Sequence, residues 1–147
     1  MNKVGKYNLS RFLEAQEFCE IYTLALKEMK AGRKRSHWIW YVFPQVKGLG
    51  SSYNSRLYGV VDLDEARQYL ADDVLGARLR EITQAVLSHK DIEAMTLMNG
   101  EIDAVKLRSS MTLFDIISPK DIFEEVLDVF FEGKRCRKTL EICGKLL

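Results

Sequence analysis

The sequence predicts an all-α fold: a single compact domain over residues 1–147, with about seven or eight helices and an irregular aromatic and Gly-rich segment at 44–61. Three observations predict it. Apolar residues recur at helical spacing along most of the chain, no run alternates apolar with polar residues as a strand would, and no linker of Pro, Gly or Ser divides the sequence. A chain of this length buries roughly two-thirds of its unfolded surface, enough to stand without disulfide or metal.

The elements follow in order. Phe12, Ala15, Cys19, Tyr22 and Leu26 form a helical stripe across 9–31, with Asn8 or Ser10 as N-cap and Gly32 as the stop. Ser36–Phe43 is a short aromatic segment that Pro44 must end; it reads as a short helix, with a strand the alternative. Residues 46–61 read as a loop, with room for a short helix around Ser52–Tyr58. Asp62 and Glu65 have capping spacing and open a helix to about Leu70. Asp72 or Asp73 caps the next, whose buried face is Leu75, Leu79, Ile82, Val86 and Leu87. A shorter helical piece spans Ile92–Met98 before an Asn99-Gly100 turn. Residues 101–117 form a further helix. Ser118-Pro119 restarts the chain into one ending at Gly133, and a last helix covers Arg137–Leu146.

Composition excludes several classes. Twenty-two Lys and Arg balance 21 Asp and Glu, which argues against a protein built to wrap nucleic acid. No charged start followed by a hydrophobic stretch, and no long apolar run, suggests a signal peptide or a membrane span. Cys19, Cys136 and Cys143 lack the close spacing of a zinc site and read as reduced thiols, so a cytoplasmic location with no metal or cofactor is expected.

Two places break the helical pattern. On helix 101–117, Ile102, Val105, Leu113, Ile116 and Ile117 mark one flank of the inward side, and Leu107, Met111 and Phe114 the other. Arg108, Thr112 and Asp115 fall on the solvent side. Lys106 lies inside the apolar arc, with Asp103, Ser109 and Ser110 near it. A buried ammonium needs a partner. An Asp103–Lys106 pair at i,i+3 supplies one; an anionic ligand is the other, and it better accounts for the two hydroxyls. In the first helix Gln16 projects between Phe12 and Leu13, as either a satisfied buried amide or a pocket wall.

The second place is 32–52, which holds both tryptophans, three of the nine glycines and His37. Trp38 and Trp40 are core residues or stacking surfaces. Gln45 and the Gly48-Leu-Gly50-Ser51-Ser52 loop follow, where glycine lets backbone amides approach an anion. The basic run Lys27, Lys30, Arg33, Lys34, Arg35 sits at a helix end, where cations suit the macrodipole.

These residues carry a resemblance. Arg11-Phe-Leu-Glu-Ala-Gln16, Gly32-Arg-Lys-Arg-Ser-His37-Trp-Ile-Trp-Tyr-Val-Phe-Pro-Gln45, Gly48-Leu-Gly-Ser51, Glu65-Ala-Arg67-Gln-Tyr69-Leu, Val74-Leu-Gly76-Ala-Arg78-Leu and Lys106-Leu-Arg-Ser-Ser-Met-Thr-Leu-Phe114 span nearly the whole chain. The chain resembles the bacterial family DUF1810. The departure is Met98-Asn-Gly-Glu-Ile-Asp103, where the family leads one to expect an Ile-Phe-Gly and Pro-Asp type of turn. The resemblance implies a small, mainly helical fold and no activity. A calpastatin label carried by some members does not transfer, because no repeated inhibitor segment is present.

The expected site is a pocket where 36–52 meets helix 101–117, with Gln16 and Ser36 beside it. Lys106, Ser109 and Ser110 would hold an anionic group with help from the amides of Gly48, Gly50 and Ser51. Trp38 or Trp40 would stack on a planar group, and Gln45 would add a polar contact. A phosphate-bearing, nucleotide-like compound related to ADP-ribose fits such a pocket. Any chemistry would use His37 as general acid or base and Lys106 as electrostatic stabiliser. The rival expectation is a non-catalytic interaction module whose basic run 27–35 contacts an acidic protein or nucleic acid.

Overall fold

A computed structural model describes residues 7–145 of the chain, and the expected end of the last helix at Leu146 lies outside them. The fold is all-α. Its elements are α1 (Ser10–Glu17), α2 (Ile21–Ala31), α3 (Ile39–Val42), α4 (Tyr53–Leu57), α5 (Leu63–Ala71), α6 (Leu75–Leu87), α7 (Ala94–Leu97), α8 (Glu101–Ile117), α9 (Ile122–Phe131) and α10 (Arg137–Lys145). No strand occurs among the described residues; one isolated parallel bridge joins Val46 to Val60. The long helix α8 packs against α3, α5, α7, α9 and α10, so the core forms around it.

The expected helix 9–31 is two helices. Cys19 (φ 51°) and Glu20 (φ 53°) adopt left-handed backbone between α1 and α2, which costs about 1–2 kcal/mol per residue for L-amino acids. The turn lets each half seat its own buried side. Phe12 and Gln16 of α1 face Tyr69 and the segment around Tyr41, whereas Tyr22 of α2 donates to the Arg78 carbonyl (2.9 Å) and to Glu81 (2.7 Å) on α6. Phe18 is left 75% exposed at the corner. Neither expected N-cap bonds the start of α1, although Gly32 closes α2 as expected.

The later boundaries follow capping chemistry. Asp62 accepts from the Glu65 amide at 2.9 Å, and Asp72 rather than Asp73 accepts from Val74 and Leu75. Asn99 and Gly100, both at positive φ, form the turn before α8. Past Pro119 the helix begins later than expected, at Ile122, because Asp121 is the residue that caps α9.

That cap also ties two helices. Both guanidinium nitrogens of Arg80 on α6 donate to Asp121 (2.9 and 3.0 Å), with Ser118 Oγ (2.6 Å) and the Ile122 amide (2.7 Å) as further donors. The Arg80 bonds hold the Asp121 carboxyl far below its ordinary value of 3.8, outweighing burial, which acts the other way. A carboxyl depressed in the folded state stabilises above its unfolded pKa and loses that contribution as pH falls through its folded one. Thermal melts from about pH 5 down to about pH 2 should therefore show Asp121→Asn losing less stability on acidification than the parent protein.

Leu107, Met111, Leu113 and Phe114 of α8 are buried as its apolar stripe suggests, but the rest of the stripe departs from that expectation. Ile102 is 73% exposed and Val105 42%, whereas Thr112 and Asp115, expected on the solvent side, are buried. The chain entering α10 lies over that side: the Cys136 amide donates to Thr112 Oγ1 (2.9 Å) and Arg135 Nε to Asp115 Oδ2 (3.1 Å). Arg135 also reaches Glu124, closing α8, α9 and this turn together.

Candidate functional site

A cleft of about 490 Å³ lies between the 44–59 stretch and the first half of α8, with Cys136 and Lys138 at its far side. Its first wall is shaped by backbone pairing. The Val60 amide donates to the Gln45 carbonyl (2.9 Å) and the Lys47 amide to the Val60 carbonyl (2.8 Å). Gly59 is required there, since a Cβ would stand 2.8 Å from Lys47 Cβ and from the Ser55 carbonyl oxygen. Arg11 fixes the same wall from α1: it donates to the carbonyls of Leu57 (2.8 Å) and Gly59 (3.0 Å) and pairs with Glu65 (2.8 Å).

The second wall is α8. Lys106 stands with its ammonium 4.8 Å from the Trp40 ring centroid and 3.7 Å from Asp103 Oδ1. Asp103 is shared, because its other oxygen lies 2.8 Å from Lys34 Nζ. Lys34 is buried, bonds the Ser36 carbonyl and sits 4.8 Å from the Trp38 ring. Two ammonium groups thus divide one carboxylate, leaving the Lys34–Asp103–Lys106 group one positive charge in excess. Lys106 thus has the carboxylate expected at i,i+3 and also borders an open cleft.

Five of the expected site residues line this cleft: Trp40, Gln45, Gly50, Lys106 and Ser109. The others lie elsewhere. Trp38 is fully buried and donates Nε1 to Glu28 (2.9 Å), so it is core and not a stacking surface. Ser36 donates its hydroxyl to the same carboxylate (2.6 Å). Gln16 is buried as structural glue, donating to the Tyr41 carbonyl (2.8 Å) and Tyr69 hydroxyl (3.1 Å) and accepting from Arg78 (3.1 Å). Ser110 is buried on α8 without a hydrogen-bond partner and does not reach the cleft. Gly48 and Ser51 are exposed on the loop beyond it, and His37 is exposed and does not line it.

Glu28 was the residue the pattern argument missed. Burial pushes its carboxyl up, but the Ser36 hydroxyl, the amides of Arg35 and Ser36 and the Trp38 indole together hold it below the usual value. The spacing held a signal: Glu28 stands three residues from Ala25 and next to Met29, on the apolar side of α2, and all three prove buried. The carboxylate organises 35–38 and thereby sets where Trp40 begins its turn. The burial of Lys34 also removes the middle of the basic run from any partner-facing surface.

Among the described residues, no helix is long and apolar enough to cross a membrane, and no three His, Cys, Asp or Glu side chains gather as a metal site. All three cysteines are free, Cys19 exposed and the other two buried.

The chain is a small helical domain of a family without an assigned activity: residues 6–143 match the family model DUF1810, described as a protein of unknown function, and the chain belongs to that family. A solved relative is the conserved hypothetical protein Rv1873 from Mycobacterium tuberculosis, 38% identical, with a TM-score of 0.91 over 95% of this chain and 99% of that one. No curated protein matches the chain.

Proposed function

We propose that the cleft binds a small anionic ligand, phosphate-bearing and nucleotide-like, of the ADP-ribose type. The observation that carries the reading is Lys106: a half-buried ammonium at the cleft wall, above the Trp40 ring, whose carboxylate partner Asp103 is shared with Lys34. An anion arriving there meets uncompensated positive charge. Gln45 and Lys138 add polar contacts, while Val46, Leu49 and Tyr58 supply an apolar lining for the body of the molecule. Glu101 lies at the same cleft and disfavours a ligand carrying negative charge at that end, which orients it.

The reading is one of binding, with no reaction assigned. A thermal-shift screen of nucleotides, sugar phosphates and ADP-ribose should give a hit; at one hundred times Kd the stabilisation is about 2.7 kcal/mol. Lys106→Ala should abolish that shift and leave the ligand-free melting temperature nearly unchanged, since exposed or half-exposed ion pairs contribute only about 0–1 kcal/mol. A ligand that protects the parent and Lys106→Ala equally would overturn the assignment.

A further inference from the structure

A second cavity, of about 470 Å³, lies on the other side of α8 from Lys106, against residues 90–95 and the end of α9. Lys106 and Arg108 stand roughly 160° apart around the helix axis, so each serves its own cavity, with Glu101 and Val105 bordering both. The lining here is mostly apolar and includes Ile92, Met95, Val129, Phe130 and Phe131. Met95 is 53% exposed, Val105 42% and Val129 39%. Apolar side chains left in water singly are ordinary, but these three converge on one concavity, which marks a binding surface.

Arg108 is the half-buried cation of this cavity. Its Nε is buried without an acceptor, and among the described residues no hydrogen bond or ion pair engages the terminal nitrogens, which remain accessible. Buried donors are seldom left so. Folding has already stripped part of the hydration from this guanidinium, so an anion meets a lower desolvation cost here than at an exposed arginine. The guanidinium fork matches the two oxygens of a carboxylate with parallel bonds. The rim limits the charge of the ligand. Asp91, Glu93 and Glu101 are exposed there against Lys90 alone, so the lining carries three carboxylates and, with Arg108, two cations. Solvent screens the exposed carboxylates more than the half-buried guanidinium. One negative charge is therefore attracted at Arg108, and a second is repelled.

We propose that this cavity is a second binding site, for a small apolar monocarboxylate. The carboxylate is held by the terminal nitrogens of Arg108, and the apolar body lies against Met95, Val129, Phe130 and Phe131. The acidic rim selects against a dianion such as a phosphate monoester, and the unpartnered guanidinium selects against an uncharged molecule of the same shape. The two cavities thus differ in kind: the cleft at Lys106 has positive charge in excess, whereas this one has a single cation within an acidic rim. The site needs no anion at Lys106 and stands apart from the binding reading given above.

The test titrates the full chain, carrying isotope-labelled methionine methyl groups, with octanoate at neutral pH and follows the Met95 methyl signal by NMR. Octanoate should shift that signal saturably, and octanol and octyl phosphate should each bind at least about tenfold more weakly. Arg108→Met should raise the octanoate Kd at least about tenfold, and Arg108→Lys, which keeps the charge but not the fork, should fall between that variant and the parent. The proposal is wrong if octanoate leaves Met95 unmoved, or if octanol or octyl phosphate binds as tightly as octanoate. It is equally wrong if a folded Arg108→Met protein binds octanoate like the parent. The comparison of the three probes on the unaltered chain decides the matter even where the methionine variant does not fold.

Discussion

Gly76→Ala should destabilise the fold by at least about 3 kcal/mol, a large share of the stability of a domain this size. Gly76 lies in the first turn of α6, where a Cβ would stand 1.9 Å from the Leu70 carbonyl oxygen and 2.8 Å from its carbon. The obstacle is backbone, so no rotamer change relieves it; the end of α5 would have to move away from α6. Leu70 follows Tyr69, whose ring packs on Phe12 and Phe114, so that movement would reach the core. Gly144→Ala is the matched control. A Cβ there meets nothing within 4 Å among the described residues, and alanine in a helix is favoured over glycine by roughly 0.5–1 kcal/mol. Denaturant melts should place the two variants on opposite sides of the parent. A parent-like midpoint for Gly76→Ala would mean that α5 and α6 do not meet this closely.

Arg11→Met should cost about 3–5 kcal/mol, the range for removing one partner of a buried ion pair. Glu65 is 1% exposed, and its remaining donor is the Val61 amide at 2.9 Å, so loss of the guanidinium strands a carboxylate inside the protein. The cost is not only electrostatic. Arg11 is also the side-chain donor to the carbonyls of Leu57 and Gly59, which lose that bond together, whereas the Asn8 carbonyl keeps the Arg11 backbone amide (3.4 Å). Adding Glu65→Gln removes the stranded charge and should recover part of the loss. Denaturation of both single variants and the double variant gives the coupling between them, which should be large because the side chains touch. Because Gly59 lines the cleft, ligand protection should weaken in Arg11→Met even below its melting range.

Much of the fold was legible because helices announce themselves through period and caps. Asp62, Asp72 and Gly32 act where their residue types suggest, and the segment 36–43 is helical over Ile39–Val42 as preferred. The break after Glu17 was not legible. No Gly or Pro marks it; Cys19 and Glu20 take left-handed backbone only because the two halves pack against different partners. The exposure of Ile102 and Val105 on α8 and the burial of Thr112 and Asp115 were not legible for a related reason, although Leu107, Met111 and Phe114 are buried as expected. Periodicity reports which side is apolar, whereas burial depends on where the next element lands, and the turn at Arg135 and Cys136 lands on Thr112 and Asp115.

The candidate site divides in the same way. Lys106 was conspicuous as an ammonium inside an apolar arc, and Trp40, Gln45, Gly50 and Ser109 do meet it at one cleft. Ser36 and Trp38 stand beside those residues in sequence yet bond Glu28 instead, and Gln16 bonds Tyr41 and Tyr69. Sequence proximity cannot separate a residue that lines a cavity from one that supports the residue lining it, since both are polar or aromatic and both are buried.

By itself the sequence determined that the chain is helical, where most helices begin and end, and that Lys106 must find a partner for its charge. These are local matters: hydrogen bonding within a few residues, side-chain periodicity and the cost of burying a charge. Only the tertiary structure decided that Asp103 is divided between Lys34 and Lys106, that Arg11 holds the wall opposite, and that Cys136 arrives beside Ser109. Those arrangements join residues up to 72 positions apart, and nothing in the local chain specifies which distant surface will cover which side.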